Sequence, residues 1–190
     1  MTEVYFIRHA EPDHSVADDG SRPLTEKGRA DARGLAAQFR TIDIAHIYSS
    51  PYKRAIQTVK PIAADKQIPI EIREDFRERI SNTEWIDDAT DLGSFVRYMW
   101  ENPDVGVDGG ESVISVQERN IKALKTILRE NDHGKIIVGT HGTALATMIK
   151  YYDSAFTSDD YMKFIGIMPY IVRMNFEGDK LMAMEEISAP

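Results

Sequence analysis

Two short apolar runs, Val4-Tyr5-Phe6-Ile7 and Ile136-Ile137-Val138, do most to limit what this chain can become. Both are rich in β-branched or aromatic residues, and neither alternates with polar ones. A strand with one wet face alternates. A run without alternation is buried on both faces, as in a parallel sheet covered by helices on each side. Both runs also end in chemistry-bearing residues: Arg8-His9 follows the first, and Gly139-Thr140-His141-Gly142 follows the second. In open parallel sheets ligands bind beyond the carboxyl ends of the strands, so these two ends are where a site is to be sought.

Strand-like and helix-like segments alternate between them. Residues 9–23 are loop-like, with Pro12, Asp13, Asp18, Asp19, Gly20 and Pro23. Thr25 is the expected N-cap of a helix over 26–40, whose apolar stripe is Ala32, Leu35, Ala36 and Phe39. A strand over 44–48 ends at Ser49-Ser50-Pro51, with Ser50 the expected cap of the next helix and Pro51 its first residue. Ala55, Val59, Ile62 and Ala63 form that helix's inner face, and Pro61 is expected to kink or end it. Residues 68–72 alternate enough for a third strand, and 76–110 is the least regular stretch, carrying Trp85 and Trp100. Ser112 or Ser115 caps a helix that buries Ile121, Leu124, Ile127 and Leu128. A strand over 135–139 and an apolar helix from about 143 come next, and 170–176 and 181–187 flank Glu177-Gly178-Asp179 as a hairpin. This order predicts an α/β three-layer sandwich, a mainly parallel sheet flanked by helices with an antiparallel edge strand. A single domain over 1–190 is expected, with an irregular substrate-covering segment around 80–108.

Charge narrows the partners. The chain has 23 basic and 31 acidic residues, a net −8 with histidines neutral. Nucleic-acid affinity comes from clustered Lys and Arg, so no nucleic-acid partner is expected. One small anion is another matter, since a single pocket can be positive on a negative protein. No apolar run approaches the roughly 18–20 residues that cross a bilayer, so no membrane partner is expected. Met1-Thr2-Glu3-Val4-Tyr5 lacks a basic leader region, and the absence of cysteine removes thiol catalysis and cysteine-ligated zinc. Both fit a cytoplasmic protein.

Arg8, Arg54 and two histidines, His9 and His141, thus gather where strands end and helices begin. Guanidinium forks and helix N-termini hold phosphate oxygens. A histidine with a free ring nitrogen can attack phosphorus, a second can neutralise the transferring group, and a carboxyl residue can protonate the leaving alcohol.

These residues carry a resemblance. Arg8-His9-Ala10-Glu11 resembles the Arg-His-Gly signature of the histidine phosphatase superfamily, which includes the cofactor-dependent phosphoglycerate mutases. Leu24-Thr25-Glu26-Lys27-Gly28 is similar to that family's Leu-Thr-x-x-Gly helix opening. The segment from Tyr48-Ser49-Ser50-Pro51 through Arg54-Ala55-Ile56-Gln57-Thr58 is similar to its Ser-Ser-x-x-x-Arg-Ala-x-x-Thr segment. Gly109-Gly110-Glu111-Ser112 and Val138-Gly139-Thr140-His141-Gly142 resemble its Gly-Gly-Glu-Ser turn and second histidine motif. The motifs fall in order along nearly the whole chain. The resemblance implies a phosphoglycerate mutase-like fold, His9 as the phosphorylated nucleophile, and Arg8, Arg54 and His141 around the phosphate with the Gly142 amide nearby. It implies Glu78 as proton donor, with Glu84 in reserve because the pattern after Glu78 departs from the family's. The resemblance further implies Ser15 as a substrate contact, at a position where mutases often place asparagine.

Other readings compete. His9, Glu11, Asp13 and His14 offer metal ligands, but Pro12 interrupts them and no helical i, i+4 pair is present, so neither a metal nor another cofactor is expected. No Gly-x-Gly-x-x-Gly or phosphate-binding Gly-Lys-Ser/Thr loop occurs. His14, His46 and His133 read as structural or solvent-facing, Asp87-Asp88 as solvated surface, and Trp85 and Trp100 as pocket lining or packing. Classical mutases carry a Glu-Arg-His-Tyr-Gly segment that has no counterpart between Glu78 and Gly109. A metal-independent phosphomonoester hydrolase acting on a small phosphorylated metabolite is therefore the expected function. Mutase-type phosphoryl transfer is second and a catalytically silent phospholigand binder third. The substrate's identity is not encoded legibly, and the sequence leaves a homodimer open.

Overall fold

The computed structural model describes residues 1–80, 92–106 and 109–190. In chain order the elements are β1 (Thr2–Arg8), α1 (Glu26–Phe39), β2 (His46–Ser49), α2 (Lys53–Lys66) and β3 (Ile70–Ile72). A short 3-10 turn (Glu74–Phe76) leads toward α3 (Leu92–Glu101) and α4 (Val113–Glu130). Then come β4 (Gly134–Thr140), α5 (Gly142–Tyr152), α6 (Ser158–Ile165), β5 (Tyr170–Glu177) and β6 (Lys180–Ile187). The strands form one sheet in the order β3-β2-β4-β1-β5-β6. β3, β2, β4 and β1 run parallel, while β5 and β6 are antiparallel to their neighbours and form the hairpin expected at the antiparallel edge.

The unbroken apolar runs have the cause expected of them. Val4 and Phe6 of β1 and Ile136 and Val138 of β4 face a core shared with α3, α4, α5 and α6. Tyr5, Ile7 and Ile137, their alternates, face a second core with Leu35 and Phe39 of α1 and Val59 and Ile62 of α2. With both faces covered, period-two alternation has no solvent side on which to place polar residues. Thr25 caps α1 by accepting from the Gly28 amide. Gly28 itself is needed for contact: a Cβ there would stand 2.3 Å from the Glu11 carbonyl, so the helix start can lie against the chain leaving β1 only without a side chain.

Several local expectations change. Ser50 does not cap α2, which begins at Lys53 with Tyr52 in the cap position; the Ser50 hydroxyl accepts from the Tyr52 amide and meets His141 instead. Pro61 neither ends nor bounds α2, which continues to Lys66. Proline removes one interior amide bond, and Val59, Ile62 and Ala63, all buried around it, hold the turn against the sheet. The third strand is shorter than 68–72, at Ile70–Ile72. The stretch 76–110 is not irregular throughout, because 92–101 is helical, with Val96, Met99 and Trp100 buried. Trp100 packs, its ring stacked on Tyr161 at 5.1 Å. Trp85, Asp87, Asp88 and the reserve glutamate Glu84 lie outside the described residues. Helix α6 adds to the expected elements, and a Thr157–Asp160 capping box starts it.

Candidate active site

Parallel register brings the strand ends together. Arg8 of β1 pairs with Thr140 of β4, and Ser49 of β2 with Gly139 of β4. One residue farther on, the His9 amide donates to the Thr140 carbonyl (3.0 Å) and the Ser50 amide to the Gly139 carbonyl (2.9 Å). His9, Ser50 and His141 therefore leave adjacent strands at one level, and the two imidazole rings stand edge-to-face with centroids 5.3 Å apart.

His9 is 5% exposed and His141 is fully buried. The His9 Nδ1–H donates to the Ala10 carbonyl at 2.8 Å, which leaves Nε2 with its lone pair. His141 Nε2 lies 2.7 Å from the Ser50 hydroxyl, and its Nδ1 is buried with no hydrogen-bond partner among the described residues. Burial, and after it the positive charge of Arg54, holds both imidazoles well below their ordinary value of 6.5, so both are neutral. Thr58, whose hydroxyl accepts from the Ala10 amide (3.0 Å) and donates to the Arg54 carbonyl (2.7 Å), ties the chain after His9 to the first turns of α2.

The two arginines differ. Arg54, 4% exposed, meets Asp19: its Nη1 donates to the Asp19 carbonyl at 2.5 Å and lies 3.0 Å from Oδ1, and its Nη2 donates to Oδ2 at 3.2 Å. Arg8 directs Nη1 to the carbonyls of Phe164, Ile165 and Ile167, where α6 ends. A cation there complements the helix dipole, so part of Arg8 serves the fold. Its Nε is buried with no hydrogen-bond partner among the described residues, and a Cβ on Gly142 would stand 3.4 Å away. The open donor of Arg8 thus faces the start of α5.

Glu78 reaches the same helix start. Its Oε2 accepts from the Thr143 amide and its Oε1 from the Ala144 amide, each at 3.1 Å, and Oε1 also accepts from the Arg79 amide. Helix α5 has no cap from the His141 side chain; the Glu78 carboxylate supplies one from across the site. Arg54, Glu78 and Thr143 line a cleft of about 450 Å3 together with Asp19 and Arg22. Its apolar lining includes Leu92, Phe95, Val96 and Met99 of α3 together with Ala17 and Ile165. Ser15 is not drawn in: it is exposed, and its hydroxyl donates to Asp13 at 2.7 Å. His14 and His133 are exposed, and His46 is half-exposed beside Glu71. Among the described residues no three His, Asp or Glu side chains are gathered to hold a metal ion, and no helix is long and apolar enough to cross a membrane.

Sequence reasoning had placed Thr58 in a motif without giving it a role, and had passed over Asp19 and the cap role of Glu78. Thr58 carried a signal, a hydroxyl four residues after Arg54 on a helix. Asp19 carried none, standing in a loop with several other acidic residues.

Comparison with known proteins bears on this arrangement. Residues 4–179 match the model of the histidine phosphatase superfamily (branch 1). A protein named "Probable phosphoglycerate mutase GpmB" from Enterobacter sp. (strain 638) is 28% identical over 158 residues, covering 78% of this chain and 74% of that one. Among solved structures, Bacillus stearothermophilus YhfR superposes with a TM-score of 0.74 at 27% identity, covering 96% of this chain and 95% of its own. The fold is also that of a phosphoserine phosphatase from Entamoeba histolytica in complex with phosphoserine, with a TM-score of 0.73, 24% identity, and 97% and 96% of the two chains covered.

Proposed function

Since the chain belongs to the histidine phosphatase superfamily, we propose that it is a metal-independent phosphomonoester hydrolase that works through a phosphohistidine on His9 and takes a small phosphorylated metabolite. The observation that carries this reading is the geometry of His9: Nδ1–H is committed to the Ala10 carbonyl at 2.8 Å, which leaves Nε2 with its lone pair, and burial holds the imidazole well below its ordinary value. In the first step that lone pair forms a bond to phosphorus. The P–O bond to the alcohol breaks, its electron pair leaves on the alcohol oxygen, and Glu78, which enters this step in its protonated form, supplies the proton. In the second step a water oxygen attacks phosphorus, the P–N bond breaks back to Nε2, and Glu78 takes the water proton. Arg54, the open Nε of Arg8, His141 and the Gly142 amide hold the phosphoryl oxygens throughout. Ser15 would contact substrate only if the loop bearing it closed inward. We assign substrate selection to the apolar residues of α3 and to the loop after His9.

Mutase activity is the second reading, favoured by the name of the 28% identical relative. It requires the phosphoenzyme to pass its phosphoryl group to a second hydroxyl rather than to water. The chain lacks the Glu-Arg-His-Tyr-Gly segment of classical mutases, which supports the hydrolase.

The test is acid-labile, alkali-stable phosphate on the protein during turnover of a phosphate ester, in wild type and His9→Ala, with and without EDTA. Label in wild type alone, untouched by EDTA and blocked by vanadate, is expected. Equal hydrolysis by His9→Ala would return the protein to the phospholigand binders. Transfer of the label to 2- or 3-phosphoglycerate faster than to water would make it a mutase.

A further inference from the structure

Helix α4 carries an arginine, Arg119, whose donors are divided between the segment that bears Glu78 and the carboxylate of Glu111. Arg119 Nη1 donates to the carbonyls of Asp75 (2.7 Å) and Arg77 (2.8 Å), and Nη2 donates to the carbonyl of Glu78 itself (3.0 Å). The remaining donors go to one carboxylate: Nε to Glu111 Oε1 at 2.9 Å and Nη2 to Glu111 Oε2 at 2.8 Å. A guanidinium has five N–H groups, and these contacts account for all of them.

Glu111 closes the other side. Its Oε2 accepts from the Ile80 amide (3.0 Å), its backbone amide donates to the Ile80 carbonyl (3.0 Å), and its Oε1 accepts from Arg77 Nη2 (2.8 Å). Burial pushes the Glu111 carboxyl up, but the hydrogen bonds from Arg119 and the Ile80 amide and the charges of Arg119 and Arg77 carry it below the ordinary carboxylate range. The pair is therefore ionised, and its side chains are 11% and 17% exposed. Residues 75–80 have no ladder to lie in beyond the one-turn 3-10 segment. The backbone on both sides of Glu78 meets Arg119 and Glu111 instead, with Arg77 and Arg79 adding further contacts to Glu111.

We infer that Arg119, oriented by Glu111, is a positioning residue for proton transfer: it sets the backbone from which the Glu78 carboxylate reaches the amides of Thr143 and Ala144. The inference rests on the reading of Glu78 as the proton donor. A bidentate fork with further donors on its outer edge has no lysine equivalent, because an ammonium offers a point charge and three donors.

A structural arginine and a positioning arginine give different kinetics. A nitrophenolate leaves without help, whereas the more basic phenolate of phenyl phosphate needs a proton. The two esters have nearly the same shape, and kcat/KM includes P–O cleavage. Loss of proton transfer therefore widens the ratio of kcat/KM for p-nitrophenyl phosphate to that for phenyl phosphate, while a general loss of folded enzyme leaves the ratio unchanged. The experiment measures that ratio for wild type, Arg119→Gln, Arg119→Lys and Glu78→Gln, with thermal melting of each. The expected result is a ratio widened tenfold or more in Arg119→Gln and Glu78→Gln, and at least threefold in Arg119→Lys. If Arg119→Gln does not fold, Arg119→Lys decides. A widened ratio in Glu78→Gln with an unchanged ratio in the folded Arg119 variants overturns this inference and leaves the donor assignment standing. An unchanged ratio in Glu78→Gln removes the donor assignment and the inference with it.

Discussion

The two halves of the candidate site are held by different means. His9, Ser50 and His141 stand at the ends of three adjacent strands, at heights set by ladder bonds such as His9 amide to Thr140 carbonyl and Ser50 amide to Gly139 carbonyl. Glu78 stands on a segment outside the sheet and is placed by side chains from elsewhere, Arg119 and Glu111 above all. The first half takes its precision from a cooperative array of backbone bonds that no single side-chain change removes. The second depends on a few polar groups, each removable by one substitution. Groups that bind the charge should therefore fail only when they are themselves replaced, while the proton-handling group should also fail at a distance.

The largest effect tests the first half. His9→Ala removes the only nucleophile in the proposal and should lower kcat/KM by about four orders of magnitude or more, with the melting temperature little changed, because the Thr140 bond uses the backbone. Steady-state hydrolysis and melting curves check this. A variant retaining a tenth of wild-type activity breaks the comparison at its strongest point. Arg54→Lys should come next, with a loss of about a hundredfold to a thousandfold in kcat/KM, since a bidentate fork on an oxyanion is replaced by a point charge. A loss under threefold would mean that Arg54 does not touch the phosphoryl group in the rate-limiting state.

Acidity distinguishes the halves again. His9 and His141 are held well below 6.5 by burial and by Arg54. The unfolded chain takes up protons on these rings as pH falls through about 6.5, and the folded chain does not. Stability from this source is complete above about 6.5 and declines as pH falls, by up to about 1.4 kcal/mol per pH unit for each histidine until the folded-state values are reached. Melting temperatures between pH 7 and pH 5 should drop less steeply in a His9→Gln/His141→Gln double variant than in wild type. Once the substrate's own second phosphate ionisation, at about 6, is divided out, the acid limb of kcat/KM should lie below 6.5. A remaining inflection at the ordinary imidazole value would show that His9 is solvated.

The same division explains what could be read in advance. The sheet and its strand-end residues were legible because burial on both faces leaves a mark in composition, an apolar run without alternation, and because polar residues at the end of such a run stand out. The antiparallel hairpin was legible from Glu177-Gly178-Asp179 between two strand-like runs. Helix α3 was not, since Gly93 and Ser94 in its first turn are weaker helix formers and its apolar face spans few turns. The role of Arg119 was not legible either. Its partners are mainly carbonyl oxygens more than forty residues away, and every residue has a carbonyl, so the pattern that assigns the role is absent from the chain's lettering. Arg8 shows the mixed case: its motif pointed to the phosphate, while its Nη1 turned out to serve the end of α6.

The smallest effect expected concerns the contact that joins the strand-end half to the loop after β1. Asp19 places its carboxylate on both terminal nitrogens of Arg54, where phosphoryl oxygens would bind in the proposed mechanism, so an arriving phosphate must displace it. The carboxylate side chain is 43% exposed and also meets Arg22 at 2.8 Å, which gives it somewhere to go and lets water screen it. Its competition is therefore mild. Asp19→Asn keeps the carbonyl that accepts from Arg54 Nη1 and removes only the charge. Inorganic phosphate should then inhibit at a concentration about threefold to tenfold lower, with KM falling in parallel and kcat nearly unchanged, a difference of about 1 kcal/mol. Product inhibition curves for the two proteins read this directly. An unchanged inhibition constant would mean that Asp19 has already left Arg54 before phosphate arrives, and a falling kcat would make it part of the chemistry rather than an obstacle to binding.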